Sequence, residues 1–216
     1  MAFQAVIFDM DGTLLDTLAD IRRVVNQVLE ENGFSGHPLE KYRYFIGNGP
    51  RELIVRALPP HARQPETIET CLAAYLKGYE QDADGATRLF RGIGELLDQL
   101  TARGVQLAVL TNKRHHLAQG CMELFFNRWS FELVLGLRDH VPPKPDPSAA
   151  LTIARHLSLA PKACVFVGDS DVDMATAKAA GMHGAGALWG YRTAAELRKA
   201  GADDLLVTPL DLLQLL

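Results

Sequence analysis

Asp9 and Asp11, separated by one methionine, close a short apolar run in VIFDMDGTLLDT, residues 6–17. Ending a buried strand on two carboxylates is costly unless the charges are used, because buried charge must be paired or put to work. Three other apolar runs end in comparable chemistry. VQLAVL leads into Thr111, FELVLG into a loop that holds Lys144, and ACVFVG into Asp169, with Asp173 four residues on. Singly, each has an ordinary explanation: Thr111 and Asp11 as partners for loop backbone, Lys144 as a solvated amine, Asp169 to Asp173 as a helix start. Together they are a set for phosphoryl transfer. Asp9 and Asp169 offer only hard oxygen, with no histidine placed to join them, which is how proteins hold Mg²⁺ while leaving its other positions to water and phosphate. A carboxylate attacking a phosphate dianion meets like-charge repulsion, which Mg²⁺ and Lys144 relieve while Thr111 holds an equatorial oxygen. Asp9 is then the nucleophile, and Asp11 the acid that protonates the leaving alkoxide and later activates water.

These residues need elements to hold them. Residues 4–9, 105–110, 131–135 and 163–167 are runs rich in Val, Ile and Phe, the pattern of strands buried on both faces of a parallel sheet. Helical patterns fill 92–104, 147–157 and 171–181, with glycines at 104 and 181 as stops. Strand and helix alternate from about residue 90, which predicts an α/β fold, a doubly wound parallel sheet whose ligands sit beyond the carboxyl ends of its strands. The first strand breaks that rhythm. Leu18, Ile21, Val25, Val28 and Leu29 form one helical stripe, and Ile68, Leu72, Tyr75 and Tyr79 another. The expected organisation is a sheet domain of residues 1–16 and 85–216, interrupted by an all-helical insertion at 17–84, with ADGATRLFRG as the returning linker. Inside the insertion, YRYFIGNGPREL (42–53) is the stretch to watch. Its two glycines, Gly47 and Gly49, let backbone approach a ligand, Asn48 between them is a candidate substrate contact, and Arg51 is either a forked donor for a carboxylate or phosphate or a solvated arginine at a helix-connecting turn.

Composition removes several classes. The 216 residues are 48% hydrophobic and 22% charged, with a formal charge of −4. Lys and Arg are scattered, so no nucleic-acid partner is expected. No run approaches the roughly 20 apolar residues of a membrane span and no basic leader opens the chain, so no membrane partner and a cytoplasmic location are expected. Cys71, Cys121 and Cys164 lie far apart and read as free thiols. His115 and His116 have no metal spacing. Trp189 and Tyr191 are either packing residues or flank the site entrance, and the terminal DLLQLL reads as a short amphipathic helix. Monomer and homodimer both remain open.

DMDGTLLDT, LTNK, KPDP and GDSDVD, in that order, resemble the motifs of the haloacid dehalogenase superfamily of phosphohydrolases with a helical cap. The resemblance implies a Rossmann-like core with Asp9 as nucleophile and metal ligand. It makes Asp11 an acid/base that also lends its backbone carbonyl to the metal, puts Thr111, Asn112 and Lys144 on the phosphate, and puts Asp169 on the metal. Asp173 matches the second acid of the last motif, acting through metal-bound water or on Lys144, and Asp171 is left as a helix-start residue. True dehalogenases of the superfamily lack the second aspartate of D-x-D, so Asp11 disfavours dehalogenation. FIGNGPREL resembles the cap segment of phosphoglycolate phosphatases, which implies Mg²⁺-dependent hydrolysis of a small phosphorylated metabolite, 2-phosphoglycolate first, through an aspartyl phosphate. Related capped enzymes share such glycine loops: pyrophosphatases, sugar- and nucleotide-phosphate phosphatases, β-phosphoglucomutases and the phosphonoacetaldehyde hydrolases, whose cap lysine would here be Lys41. A non-enzymatic binding protein of the same fold is the alternative from another class.

Overall fold

Residues 3–81 and 85–216 are described by a computed structural model. The chain runs through β1 (Ala5–Phe8), β2 (Leu15–Asp16), α1 (Leu18–Glu31), α2 (Leu39–Phe45), α3 (Pro50–Ala57) and α4 (Pro65–Gln81). It continues through β3 (Arg88–Leu89), α5 (Ile93–Ala102), β4 (Gln106–Arg114), α6 (His115–Phe125), β5 (Leu133–Leu137) and α7 (Ser148–His156). β6 (Cys164–Gly168), α8 (Asp171–Ala180), β7 (His183–Ala187), α9 (Ala194–Ala200) and β8 (Asp204–Leu206) complete it. Six strands form one parallel sheet in the order β5-β4-β1-β6-β7-β8. The expected doubly wound α/β architecture is therefore present. β1 lies between β4 and β6, and the chain builds outward from it in both directions, so the strand order reverses beside β1.

Alternation along β1 fixes the two faces. Val6 and Phe8 join Leu96, Leu97, Leu100 and Val109 on one side, while Ala5 and Ile7 join Ala150, Ile153, Phe166 and Ala177 on the other. Every β1 residue is fully buried, as a strand covered by helices on both faces requires. β5 begins two residues later than the apolar run at 131 suggests, and β4 runs on to Arg114, past the expected end at 110. β7 and β8 have no counterpart among the expected strands.

Between β2 and β3 the described chain is helical, and α1 to α4 bury a core of their own around Val25, Leu29, Tyr42, Ile54, Cys71 and Tyr75. The chain leaves and returns side by side, because β2 and β3 pair antiparallel through Leu15–Leu89 and Asp16–Arg88. Asp20, in the first turn of α1, locks this crossing: its carboxylate accepts from Ala86 N at 2.8 Å and from Thr87 N and Oγ1 at 2.7 and 2.6 Å. Residue 84, the expected end of the insertion, and residue 83 of the linker lie outside the described residues. The terminal DLLQLL is a 3₁₀ turn within Pro209–Gln214 rather than an amphipathic α-helix, with Leu212 fully buried in the core that α5 covers. No described helix is long and apolar enough to cross a membrane.

Candidate active site

Asp9 stands one residue beyond β1, its backbone N–H bonded to the Val167 carbonyl at 2.9 Å, so the β-ladder itself aims the side chain beyond the sheet. Thr111 reaches the same place through an irregularity. The β4–β5 register shifts between Leu110 and Arg114, and the chain between them carries Thr111, Asn112 and Lys113; such bulges re-aim side chains beside active sites. The Thr111 hydroxyl accepts from Lys113 N at 3.2 Å, which leaves its own hydrogen free for a ligand.

Lys144 is the hub of the buried charges. Its Nζ donates to Asp173 Oδ1 at 2.6 Å and lies 2.9 Å from Asp9 Oδ1. Lys144 therefore forms buried ion pairs with both carboxylates. Asp173 is saturated in addition by Ser170 N at 3.0 Å and Ser170 Oγ at 2.6 Å, across the first turn of α8. Asp169 accepts from Tyr191 N at 2.7 Å and Thr13 Oγ1 at 3.3 Å. Gly12, with a φ of 92°, and Gly190 pack so tightly on Asp169 that a Cβ at either would overlap it.

Burial pushes Asp9 up to about 7, against the pull of Lys144 and with a further push from Asp173. Burial also drives Asp169 well above the ordinary carboxylate range, helped by the Asp173 and Asp9 charges. Burial opposes the Lys144 charge, but Asp173 and Asp9 outweigh it and raise the amine too. One ammonium, paired with Asp9 and Asp173, thus stands in a cluster of three buried carboxylates. Asp9, Asp169 and Asp173 each bring an oxygen within 4.8 Å of the others, and the donors are hard and negatively charged. The chemistry of this donor set fits a hard divalent cation.

Asp11 lines the same cavity as Asp9. Both of its oxygens are met by Lys113 Nζ, at 3.0 and 3.3 Å, and Lys113 also donates to the Tyr79 hydroxyl of α4 at 2.9 Å. Burial disfavours the Lys113 charge, yet Asp11 and then Tyr79 hold it well above the usual amine range. Sequence reasoning gives Lys113, the last residue of LTNK, no role. The available signal is a lysine directly after the Thr-Asn pair, on a strand that buries its neighbours.

Several expected contacts are replaced. The side chain of Asn112, expected on the phosphate, has both ends engaged elsewhere: Nδ2 donates to Gly47 O at 2.9 Å and Lys144 O at 3.0 Å, and Oδ1 accepts from Lys144 N at 2.9 Å. It ties the Lys144 loop to the 46–49 loop. Arg51 points outward and pairs with Glu69 at 3.1 Å on the surface. Asn48 accepts from Arg56 Nη2 at 2.8 Å and lines an outer groove rather than the cavity. Gly49 does face the cavity, packed on the Asn112 carbonyl at a φ of 86°. Asp171 opens α8 as an exposed residue, 4.0 Å from Arg192. Lys41 is exposed. Tyr191 and Trp189 tie down the turn around the acids, Trp189 Nε1 donating to Thr13 O at 2.8 Å and the Tyr191 hydroxyl accepting from Thr17 N at 3.1 Å. Arg192 donates to the carbonyls of Arg43 and Ile46 and pins the 46–49 loop from the core side. The cavity between sheet and helices is about 40 Å³. Its helical wall is Ile21, Ile46, Gly47, Gly49, Pro50, Leu53, Tyr75 and Leu76, and its polar wall includes Asp9, Asp11, Thr111 and Lys113.

The family of haloacid dehalogenase-like hydrolases matches residues 6–187 of the chain. A phosphoglycolate phosphatase of Xanthomonas campestris is 33% identical over 213 residues, covering 97% of this chain and 91% of the relative. One from Aquifex aeolicus is 30% identical, covering 99% and 96%. The crystal structure of a predicted phosphoglycolate phosphatase from Haemophilus somnus superposes with a TM-score of 0.90 at 27% identity, covering 98% of this chain and 97% of that one. The chain belongs to the haloacid dehalogenase-like hydrolase family, and in sequence and fold it is phosphoglycolate phosphatase-like.

Proposed function

We propose that this hydrolase of phosphoric monoesters is a Mg²⁺-dependent phosphatase acting through an aspartyl phosphate on Asp9, with 2-phosphoglycolate as substrate. The observation that carries the reading is the buried ion pair of Asp9 with Lys144 at the carboxyl end of the central strand, with Asp169 close by and Asp11 two residues on. Asp9 and Asp169 would hold the ion, with the Asp11 backbone carbonyl. Bound there, Mg²⁺ supplies positive charge that keeps Asp9 ionised and offsets charge on the phosphoryl oxygens.

The protein's own groups do the rest. Lys144 and the Thr111 hydroxyl orient the phosphoryl group so that Asp9 attacks in line with the ester oxygen. As the Asp9 O–P bond forms, the ester P–O bond breaks, and its electron pair takes the proton from Asp11, releasing the alcohol. Asp11, now a carboxylate, takes a proton from water as that water displaces Asp9 from phosphorus. Asp173 holds Lys144 from behind.

We read residues 17–84 as a cap that closes over this chemistry and excludes water. The cavity of about 40 Å³ has room for a few waters, at roughly 10–15 Å³ each, which suits a small ester. The lining of the cap wall is mostly apolar side chain and backbone, which favours a small ester over a sugar phosphate with many hydroxyls to satisfy. We place the enzyme in the cytoplasm, where its three free cysteines persist as thiols.

Phosphate release from 2-phosphoglycolate, pyrophosphate, β-glucose 1-phosphate and a panel of nucleotides, each with Mg²⁺ and with EDTA, tests the reading. A Mg²⁺-dependent kcat/KM for phosphoglycolate far above the rest is expected. A maximum on another ester would overturn the substrate while leaving Asp9 and Asp11 in place, and inactivity on all of them would overturn the phosphatase reading.

A further inference from the structure

Asp11 has to hold one position while it protonates a leaving group and again while it takes a proton from water, yet its carboxylate has little to steady it. Among the described residues its only side-chain partner is the Lys113 ammonium, which contacts both oxygens. Lys113 is itself buried, its side chain 5% exposed, so the ammonium needs a second partner. That partner comes from the cap. Tyr79 projects from the last turns of α4, accepts from Nζ at 2.9 Å, and places its ring 4.3 Å from the same nitrogen. Its ring also leans on Tyr75, 5.7 Å between centroids, and Tyr75 is buried in the cap's own core. Burial pushes the Tyr79 hydroxyl up to about 12, against the pull of Lys113, so it is a neutral phenol at ordinary pH.

We infer that Tyr79 and Lys113 form a cap-to-core positioning pair for Asp11: the cap hydroxyl fixes the ammonium, and the ammonium fixes the acid/base carboxylate. The inference rests on the phosphatase reading above. Its physical content is that the acid is assembled only when the cap is down. Lys113 lies on β4 and Tyr79 on α4, so a cap movement that carries Tyr79 away removes one of two partners of a buried charge. The ammonium then reorients toward whatever else is near, and Asp11 loses its fixed rotamer. Hydrolysis would be tied to closure without any cap residue touching the phosphoryl group.

Leaving groups separate positioning from mere support of the fold. The alkoxide of 2-phosphoglycolate needs a proton from Asp11, whereas acetyl phosphate releases acetate, which departs without one. Tyr79→Phe removes one hydroxyl and no charge. Its kcat/KM with Mg²⁺ is expected to fall about tenfold on 2-phosphoglycolate and by less than about threefold on acetyl phosphate. Lys113→Met should show the same asymmetry more strongly, about 10²-fold on 2-phosphoglycolate, with partial rescue in Lys113→Arg. Equal losses on both esters in Tyr79→Phe, or no loss on either, would overturn the inference while the wild-type activity still upheld the phosphatase reading. A wild-type chain that hydrolyses neither ester would instead overturn that reading, and the inference with it.

Discussion

Two buried lysines face the two aspartates of the first motif, and they are built differently. Lys144 lies between Asp9 and Asp173, with Asp173 fixed in turn by Ser170, so every partner belongs to the sheet domain. Lys113 lies between Asp11 of the sheet domain and Tyr79 of the helical insertion. The first arrangement has two anionic partners on rigid strand and helix ends and is complete with or without the cap. The second has one anion and one neutral phenol and straddles the boundary. The nucleophile is thus held by permanent structure, while the acid is held by an arrangement that a cap movement can take apart.

The sharpest way to test the permanent half is to remove its nucleophile. Asp9→Asn should lower turnover by on the order of 10⁴-fold or more and abolish the hydroxylamine-sensitive phosphoenzyme at the same time; phosphoenzyme that survived would place the covalent chemistry on another residue. Lys144→Met comes next. It leaves Asp9 and Asp173 buried without their counter-charge, a situation that costs about 3–5 kcal/mol. A metal-free melting temperature within a degree or two of wild type would mean the carboxylates relax or take up protons, and that Lys144 is not the hub the geometry makes it.

Much of that permanent half is legible in the sequence, because apolar runs that stop on Asp9, Thr111 and Asp169 violate their own pattern. The parts that are not legible have physical reasons. β7 reads HGAGA, without large apolar residues, because Leu197 and Leu205 crowd Gly186 and Ala177 and Met174 crowd Gly184; a strand made narrow by its neighbours loses the signature of a strand. The bulge in β4 is invisible because register is a property of two strands, and with it goes the direction of Lys113. Arg51 misleads for a simpler reason. Pro50, Leu53, Ile54 and Ala57 are the buried residues of α3, and a residue one step of about 100° from that set faces out, which the donor's suitability for a carboxylate cannot reveal. Tyr79 sits correctly in its apolar stripe, but the stripe carries no record of what the hydroxyl meets.

Acid–base behaviour sharpens the charge balance around Lys144. In the metal-free protein Asp9 holds its proton up to about pH 7, whereas in the unfolded chain it releases it near 3.8. Between those values the folded state binds more protons, so the contribution of Asp9 to stability falls as pH rises through that window. Asp169, raised by the same burial, acts in the same direction. Lys144 adds no slope there, since it is charged in both states. Mg²⁺ must displace those protons to bind, so its stabilising effect should grow from pH 5 to pH 8. At a hundredfold excess over Kd it amounts to about 2.7 kcal/mol, roughly 5–10 °C in melting temperature for a chain of this size. A Mg²⁺ effect that is flat with pH, or absent, would mean Asp9 and Asp169 are not the ion's site.

The smallest effect tests the movable half. Arg51 is exposed and paired with Glu69 on the far side of α3, so Arg51→Ala should leave kcat/KM for 2-phosphoglycolate within about twofold of wild type, an exposed ion pair contributing little. Gly49→Ala is its counterpart on the cavity side. There the φ of 86° and the Asn112 carbonyl, 3.3 Å from where an added methyl would stand, oblige the 46–49 loop to shift, and a displacement of that kind next to the reacting groups can cost far more than the loss of a surface charge. Measured together, the two variants decide how the cap selects its substrate. If Arg51→Ala proved the more damaging, the arginine would have to swing inward when substrate binds, and the cap would recognise its ligand by a side-chain cation. If Gly49→Ala is the more damaging, the cap acts through backbone shape rather than through a side-chain cation.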